Sequence, residues 1–132
     1  MKRIAILGAG ESGVGTAILA QKNGYDVFVS DMGAVAPGYK AMLDEHNIRW
    51  EEGRHTESEI VSAAEVVKSP GIPDTAPMVK KIIEKGIPVI SELEFAKRYS
   101  RGRCVCITGS NGKTTTTSLI YYIMQRAKLD VG

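Results

Sequence analysis

Apolar residues in this chain come in short runs, each followed by a longer stretch in which apolar and polar positions alternate at helical spacing. The first run, Ile4–Leu7, stops at Gly8, Gly10 and Gly13. That pattern predicts a strand over about Arg3–Leu7 and a helix from near Ser12, with Ala17, Ile18 and Leu19 on its apolar face. Asn23-Gly24 ends the helix, because glycine accepts the left-handed conformation needed there. The alternation then repeats. Strands are expected at Asp26–Ser30, Ile48–Glu51, Glu65–Lys68 and Ile87–Ile90, and helices at Tyr39–His46, Glu57–Ala64, Ala76–Lys85 and Glu92–Tyr99. Thr56 is placed to cap the Glu57–Ala64 helix, its hydroxyl taking a free N–H of the first turn. Ser69-Pro70-Gly71-Ile72-Pro73 stops the fourth strand.

Strands and helices alternating at this spacing imply an α/β fold, a parallel sheet of about five strands covered on both faces. Right-handed crossovers and an order of 3-2-1-4-5 are expected, with ligands beyond the carboxyl ends of the strands. Three loops lie at such ends and would converge on one crevice: Gly8–Gly13, Asp31–Gly33 and Ser69–Gly71.

The polar stretch Ser100-Arg101-Gly102-Arg103 reads as a linker, separating a domain at 1–99 from a segment at 104–132. That segment predicts a strand, Cys104–Thr108, a loop, Gly109–Lys113, and a helix, Thr114–Lys128. One strand and one helix cannot bury a core alone, so the segment reads as the opening of a second, truncated domain. Its run Leu119-Ile120-Tyr121-Tyr122-Ile123-Met124 is apolar all round, as in a helix buried in a large domain. Without such partners it would pack back on the first domain or on a second copy, giving a dimer.

Composition narrows the class. With 132 residues, 43% apolar and 24% charged, the chain is ordinary for a globular protein. A dispersed net charge of +2 argues against nucleic acid and against an acidic membrane surface. No apolar run approaches the roughly 20 residues that span a bilayer, and Ile4–Leu7 is too short for a signal peptide's apolar region. No membrane association and a cytoplasmic location are expected. Cys104 and Cys106 would face one side of their strand as small buried residues. His46 and His55 read as surface histidines and Trp50 as packing.

Three motifs carry chemistry. Gly8-x-Gly10-x-x-Gly13, with Asp31 about twenty residues on, has the spacing of a dinucleotide fingerprint, in which glycines let the backbone approach a diphosphate and a carboxylate takes ribose hydroxyls. By spacing alone its ligand would be NAD. Ser69-Pro70-Gly71 faces the same crevice and offers a hydroxyl and an N–H to a phosphate or sugar, although a plain turn has the same composition. Thr108-Gly109-Ser110-Asn111-Gly112-Lys113-Thr114-Thr115 is the most specific. A glycine loop between strand and helix surrounds a triphosphate with N–H groups, Lys113 reaches the β- and γ-phosphates, and the Thr114 hydroxyl holds Mg²⁺. The loop is a variant, with Ile107 where the strict pattern has its first glycine.

The run T-G-S-N-G-K-T-T, following a Rossmann-like domain with G-x-G-x-S-G and S-P-G-I-P, resembles the Mur ligase family of bacterial cell-wall synthesis. Within the family the likeness is strongest to the branch that adds D-glutamate. The branch that adds L-alanine shares S-P-G but usually has histidine at the position of Asn111. The resemblance spans the whole chain: a first domain plus the first strand, phosphate loop and helix of a central ATPase domain. It implies that the first domain binds UDP rather than NAD. The backbone of Gly10, Glu11, Ser12 and Gly13, with the Ser12 hydroxyl, would hold the diphosphate. Asp31 would lie by the uridine, and Ser69, Pro70 and Gly71 would complete the pocket. Glu11 brings a carboxylate into that loop and has to point outward, and Met32-Gly33 stands where some members have a polar or basic pair.

The implied reaction is ATP-dependent amide formation on UDP-N-acetylmuramoyl-L-alanine in peptidoglycan synthesis. ATP phosphorylates the L-alanyl carboxylate, the D-glutamate amine attacks the acyl phosphate, and phosphate leaves. Gly109, Ser110, Asn111, Gly112, Lys113, Thr114 and Thr115 would bind ATP, with Lys113 catalytic and Thr114 on Mg²⁺. The family's other metal ligands, its modified lysine and its D-glutamate domain have no counterpart here, so the 132-residue chain alone is expected to be inactive. Two rivals from other classes are an NAD-binding oxidoreductase domain and a nucleotide-binding regulatory module. The phosphate loop argues against the first, because hydride transfer needs no triphosphate cradle.

Overall fold

A computed structural model describes residues 1–131, which form two compact units, Met1–Ser100 and an Arg101 onward unit. The first unit runs β1 (Arg3–Leu7), α1 (Glu11–Lys22), β2 (Asp26–Asp31), α2 (Pro37–Glu45), β3 (Arg49–Glu52), α3 (Glu57–Val61), β4 (Glu65–Lys68), α4 (Pro77–Glu84), β5 (Val89–Ser91) and α5 (Glu92–Lys97). The five strands form one parallel sheet in the order β3-β2-β1-β4-β5, as the alternating pattern predicts.

Side chains alternate across a strand, and β1 shows what that does at the centre of a sheet. Ile4 and Ile6 enter one cluster with Val14, Ala17 and Ala20 of α1, Leu43 of α2 and Phe95 of α5. Ala5 and Leu7 enter the opposite cluster with Ile60 of α3 and Val79 and Ile82 of α4. Each fully buried aliphatic side chain contributes about 1.5–3 kcal/mol, so β1 anchors both layers. At the amino-terminal end of the sheet, Arg98 Nη1 and Nη2 each donate at 2.7 Å to the buried Glu65 carboxylate. Arg3 Nε donates at 2.7 Å to Asp26.

Element boundaries move where local bonds compete. Helix α2 starts at Pro37, whose missing N–H costs nothing in a first turn. Helix α3 stops at Val61 rather than Ala64, because the Ala64 N–H already donates to the Arg3 carbonyl of β1 at 3.0 Å. Strand β5 starts at Val89 because the Ile87 N–H still closes the end of α4, on the Ile82 carbonyl. Thr56 does not cap α3 with its side chain; the hydroxyl donates to Glu51 Oε2 at 2.5 Å instead.

The second unit holds α6 (Lys113–Arg126), which has no buried residue. The strand expected at Cys104–Thr108 does not form, and both cysteines are exposed rather than buried. A strand exists only when its backbone is paired, and among the described residues nothing pairs with this stretch. Leu119, Tyr121, Tyr122 and Ile123 of the expected buried helix are exposed. Among the described residues, no helix is long and apolar enough to cross a membrane.

Candidate functional site

The carboxyl ends of β1, β2 and β4 bring the three expected loops together. Gly8 turns the chain out of β1 at φ +102°, a conformation that suits only glycine, and its N–H donates to the Ser30 carbonyl at 2.9 Å. A Cβ on Gly8 would sit 2.6 Å from Ser69 Oγ. A Cβ on Gly13, buried in the first turn of α1, would overlap the Gly8 carbonyl oxygen. Gly10 differs. It occupies the N-cap of α1 in an extended conformation, faces open space and provides no side-chain cap. The N–H groups of the first turn are therefore available to an anion, and a 12-residue helix directs its positive dipole end there. Glu11 and Ser12 are exposed on that turn, so the Glu11 carboxylate has solvent to face.

Asp31 ends β2 and clasps two loops. Its Oδ2 accepts the Ala9 N–H at 2.7 Å, and its Oδ1 accepts the Gly33 N–H at 2.8 Å. The loop beyond it is held from β3, where Glu52 accepts the Val35 N–H at 2.7 Å and Lys40 Nζ at 2.6 Å. The Lys40 and Val35 bonds keep the Glu52 carboxyl below its ordinary range. Met32 is exposed. Ser69 donates its backbone N–H to the Leu7 carbonyl at 3.0 Å and its hydroxyl to Glu92 Oε1 at 2.5 Å. Pro70 and Gly71 are exposed beside it.

Four residues of this neighbourhood escape motif reading: Glu92, Ser30, Glu51 and His55. Glu92, the first residue of α5, is buried and lies 3.7 Å from where a Gly13 Cβ would be. Ser30, fully buried, places its Oγ 2.8 Å from Glu51 Oε1 and 2.6 Å from His55 Nδ1. His55 is therefore not the plain surface histidine expected. Burial pushes its pKa below the ordinary 6.5, against the opposing pull of Glu51 and Asp31. Burial also raises Glu51, but bonds from the Thr56 N–H and hydroxyl, Ser30 and Arg54 outweigh it and leave the carboxyl below 4.5. The signal was one polar residue, Ser30, directly after Val27-Phe28-Val29 in an apolar strand. His46 is the partly exposed C-cap of α2, and Trp50 packs on the core with its indole N–H on Asp44 at 2.8 Å.

In the second unit, Gly109 and Gly112 take φ +152° and +76°, and Gly112 is the N-cap of α6. Lys113 Nζ donates to the Gly109 carbonyl at 2.6 Å, so the ammonium folds onto its own loop. Ser110, Asn111, Thr114 and Thr115 are exposed. Among the described residues, no group of three or more His, Cys, Asp or Glu could hold a metal ion.

Residues 2–91 match the family model described as Mur ligase MurD-like, N-terminal domain. The chain is 63% identical over 132 residues to the UDP-N-acetylmuramoylalanine–D-glutamate ligase of Bacteroides fragilis, covering all of this chain and 30% of the relative. It is 58% identical over 129 residues to the same ligase of Porphyromonas gingivalis, covering 98% and 29%. The chain thus spans under a third of the length of the curated relatives it matches. Among solved structures, the UDP-N-acetylmuramate:L-alanyl-γ-D-glutamyl-meso-diaminopimelate ligase of Neisseria meningitides superposes with a TM-score of 0.70 at 26% identity, covering 96% of this chain and 40% of that one. UDP-N-acetylmuramate-alanine ligase from Thermotoga maritima shares the fold, with a TM-score of 0.66 at 21% identity, 97% of this chain and 30% of that one.

Proposed function

The chain belongs to the Mur ligase family, in its MurD-like branch, and from that premise we propose that it is the part of a D-glutamate-adding ligase that grips the uridine diphosphate handle of UDP-N-acetylmuramoyl-L-alanine. The observation that carries the reading is the uncapped start of α1. Gly10 leaves the first-turn N–H groups open, while Gly8 and Gly13 hold the loop against Ser69 and the body of the sheet. A diphosphate fits that end, with the Ser12 hydroxyl as a further donor. Asp31, fixed by Ala9 and Gly33, keeps lone pairs on both oxygens for a ribose or base donor. Ser69, Pro70 and Gly71 form the opposite wall. Residues 1–99 are the handle-binding domain, 100–103 a linker and 104–132 the start of the ATP-binding domain.

In the complete ligase the Gly109–Thr115 loop takes ATP. Its N–H groups, with Lys113 turned away from the Gly109 carbonyl, balance the charge of the phosphates. The exposed Thr114 hydroxyl, on the first turn of α6, is a hard oxygen donor that suits Mg²⁺. Bound there, Mg²⁺ would supply neutralisation of phosphate charge. The L-alanyl carboxylate takes the phosphoryl group, and the D-glutamate amine then displaces phosphate to form the amide.

Calorimetric titration of the chain with UDP, UDP-N-acetylmuramoyl-L-alanine and NAD tests the reading. Both UDP ligands are expected to bind more tightly than NAD, and the reverse order overturns it. Mixed with ATP, Mg²⁺ and both substrates, the 132-residue chain is expected to release no phosphate.

A further inference from the structure

Ser30 is a buried hub beside the candidate site. Its hydroxyl has one proton and three neighbours: Glu51 Oε1 at 2.8 Å, His55 Nδ1 at 2.6 Å and the Arg54 carbonyl at 3.2 Å. Glu51 already accepts from the Thr56 N–H, the Thr56 hydroxyl and Arg54 Nε. As a carboxylate it has no proton to give. Ser30 must then donate to Glu51, and His55 Nδ1 must carry the hydrogen that Ser30 Oγ accepts. The direction of the chain is forced: His55 to Ser30, Ser30 to Glu51.

The backbone of the same segment faces the other way. The Ser30 carbonyl accepts the Gly8 N–H, and the next residue, Asp31, holds the Ala9 and Gly33 N–H groups. A shift of the end of β2 therefore moves both the carboxylate and the glycine loop. The groups around His55 are the carboxylates of Asp31 and Glu51 and the residue next to it, Arg54.

We propose that His55, acting through Ser30 and Glu51, is a positioning residue that sets the Asp31 carboxylate and the Gly8–Gly13 loop for the ligand. This rests on the reading of that loop as the UDP grip. Outer-shell groups that orient metal ligands are worth about ten- to hundredfold in affinity, and the lower end of that range is the expectation for a group that orients a ligand-binding carboxylate. A tie that served only stability would change the melting point and leave the loop alone.

The test uses the whole chain at neutral pH: UDP titration, together with amide NMR spectra of Ala9 and Gly33. H55A removes the donor; H55N offers an amide N–H in the place of Nδ1–H; S30A cuts the relay without touching His55. H55A and S30A are expected to weaken UDP binding about tenfold and to shift the Ala9 and Gly33 resonances. H55N is expected to restore both. If H55A and S30A bind UDP as the parent does with both amides unmoved, or if H55N behaves like H55A, the proposal is overturned. A folded parent that takes no UDP overturns the grip reading instead, and the Ala9 and Gly33 resonances then decide the relay alone.

Discussion

The chain has two glycine loops that lead into helices, and they differ in what holds them. The loop at Gly8–Gly13 leaves the central strand of a sheet and is tied by backbone and side-chain bonds to β2 and meshed with the end of β4. The loop at Gly109–Lys113 has a comparable density of glycine, but its side-chain bond is internal, from Lys113 to Gly109, and among the described residues no strand leads directly into it. The difference separates two properties of such loops. Glycine permits the conformation, while the sheet beneath specifies it. A glycine loop lacking a paired strand keeps its composition and lacks its template.

The largest expected effect tests that specification directly. Gly13→Val forces a side chain into the Gly8 carbonyl, where no flexible neighbour can yield. It should cost about 3 kcal/mol in denaturant unfolding and abolish UDP binding. Gly10→Ala, which meets open space, should leave unfolding almost unchanged. Equal midpoints for the two variants would break the contrast. Next comes Arg98→Ala, which strands the buried Glu65 carboxylate; a loss of about 2 kcal/mol is expected from leaving such an acceptor unpaired.

A smaller effect follows from pH. The folded state holds His55 below its ordinary pKa of 6.5, so the unfolded chain takes up the proton first. Its contribution is present above that value and is lost as pH falls through the folded pKa. Glu51, Glu52 and Glu65 are also held low and add losses in the same direction below 4.5. Thermal melting should therefore fall on acidification, and H55N should flatten the upper part of the slope. A melting point that rises toward acid would contradict the arrangement. Lys113→Ala should likewise change stability little: the exposed side chain bonds only its own loop, and unfolding should move by less than about 0.5 kcal/mol. Binding of a fluorescent ATP analogue is where its loss should show.

How much of this was legible follows from the distance over which each feature is determined. The five strands and their order, and the glycine turn after Leu7, are local patterns or consequences of crossover geometry, and the sequence carries them openly. Cys104–Thr108 has the composition of a strand, yet strand formation depends on a partner, which composition does not report. Ser30, Glu51 and His55 lie 21 and 25 residues apart and meet because β2 pairs with β3 so that Ser30 stands opposite Glu51. Glu92 reaches Ser69 across 23 residues in the same way. Thr56 looked like a helix cap because its position permits one; a buried carboxylate nearby is the stronger acceptor. The spacing of Gly109–Thr115 suggests a phosphate loop, but spacing does not give the loop its geometry.

Gly8, Ser69, Glu92 and Gly13 close a ring: the first glycine abuts the serine, the serine bonds the glutamate, and the glutamate lies against the second glycine, which abuts the first. Three separate stretches of chain supply its four members. The consequence is evolutionary. No member has room to change size alone, so a change at one of these positions needs a compensating change at another, and the ring stands or falls as a block.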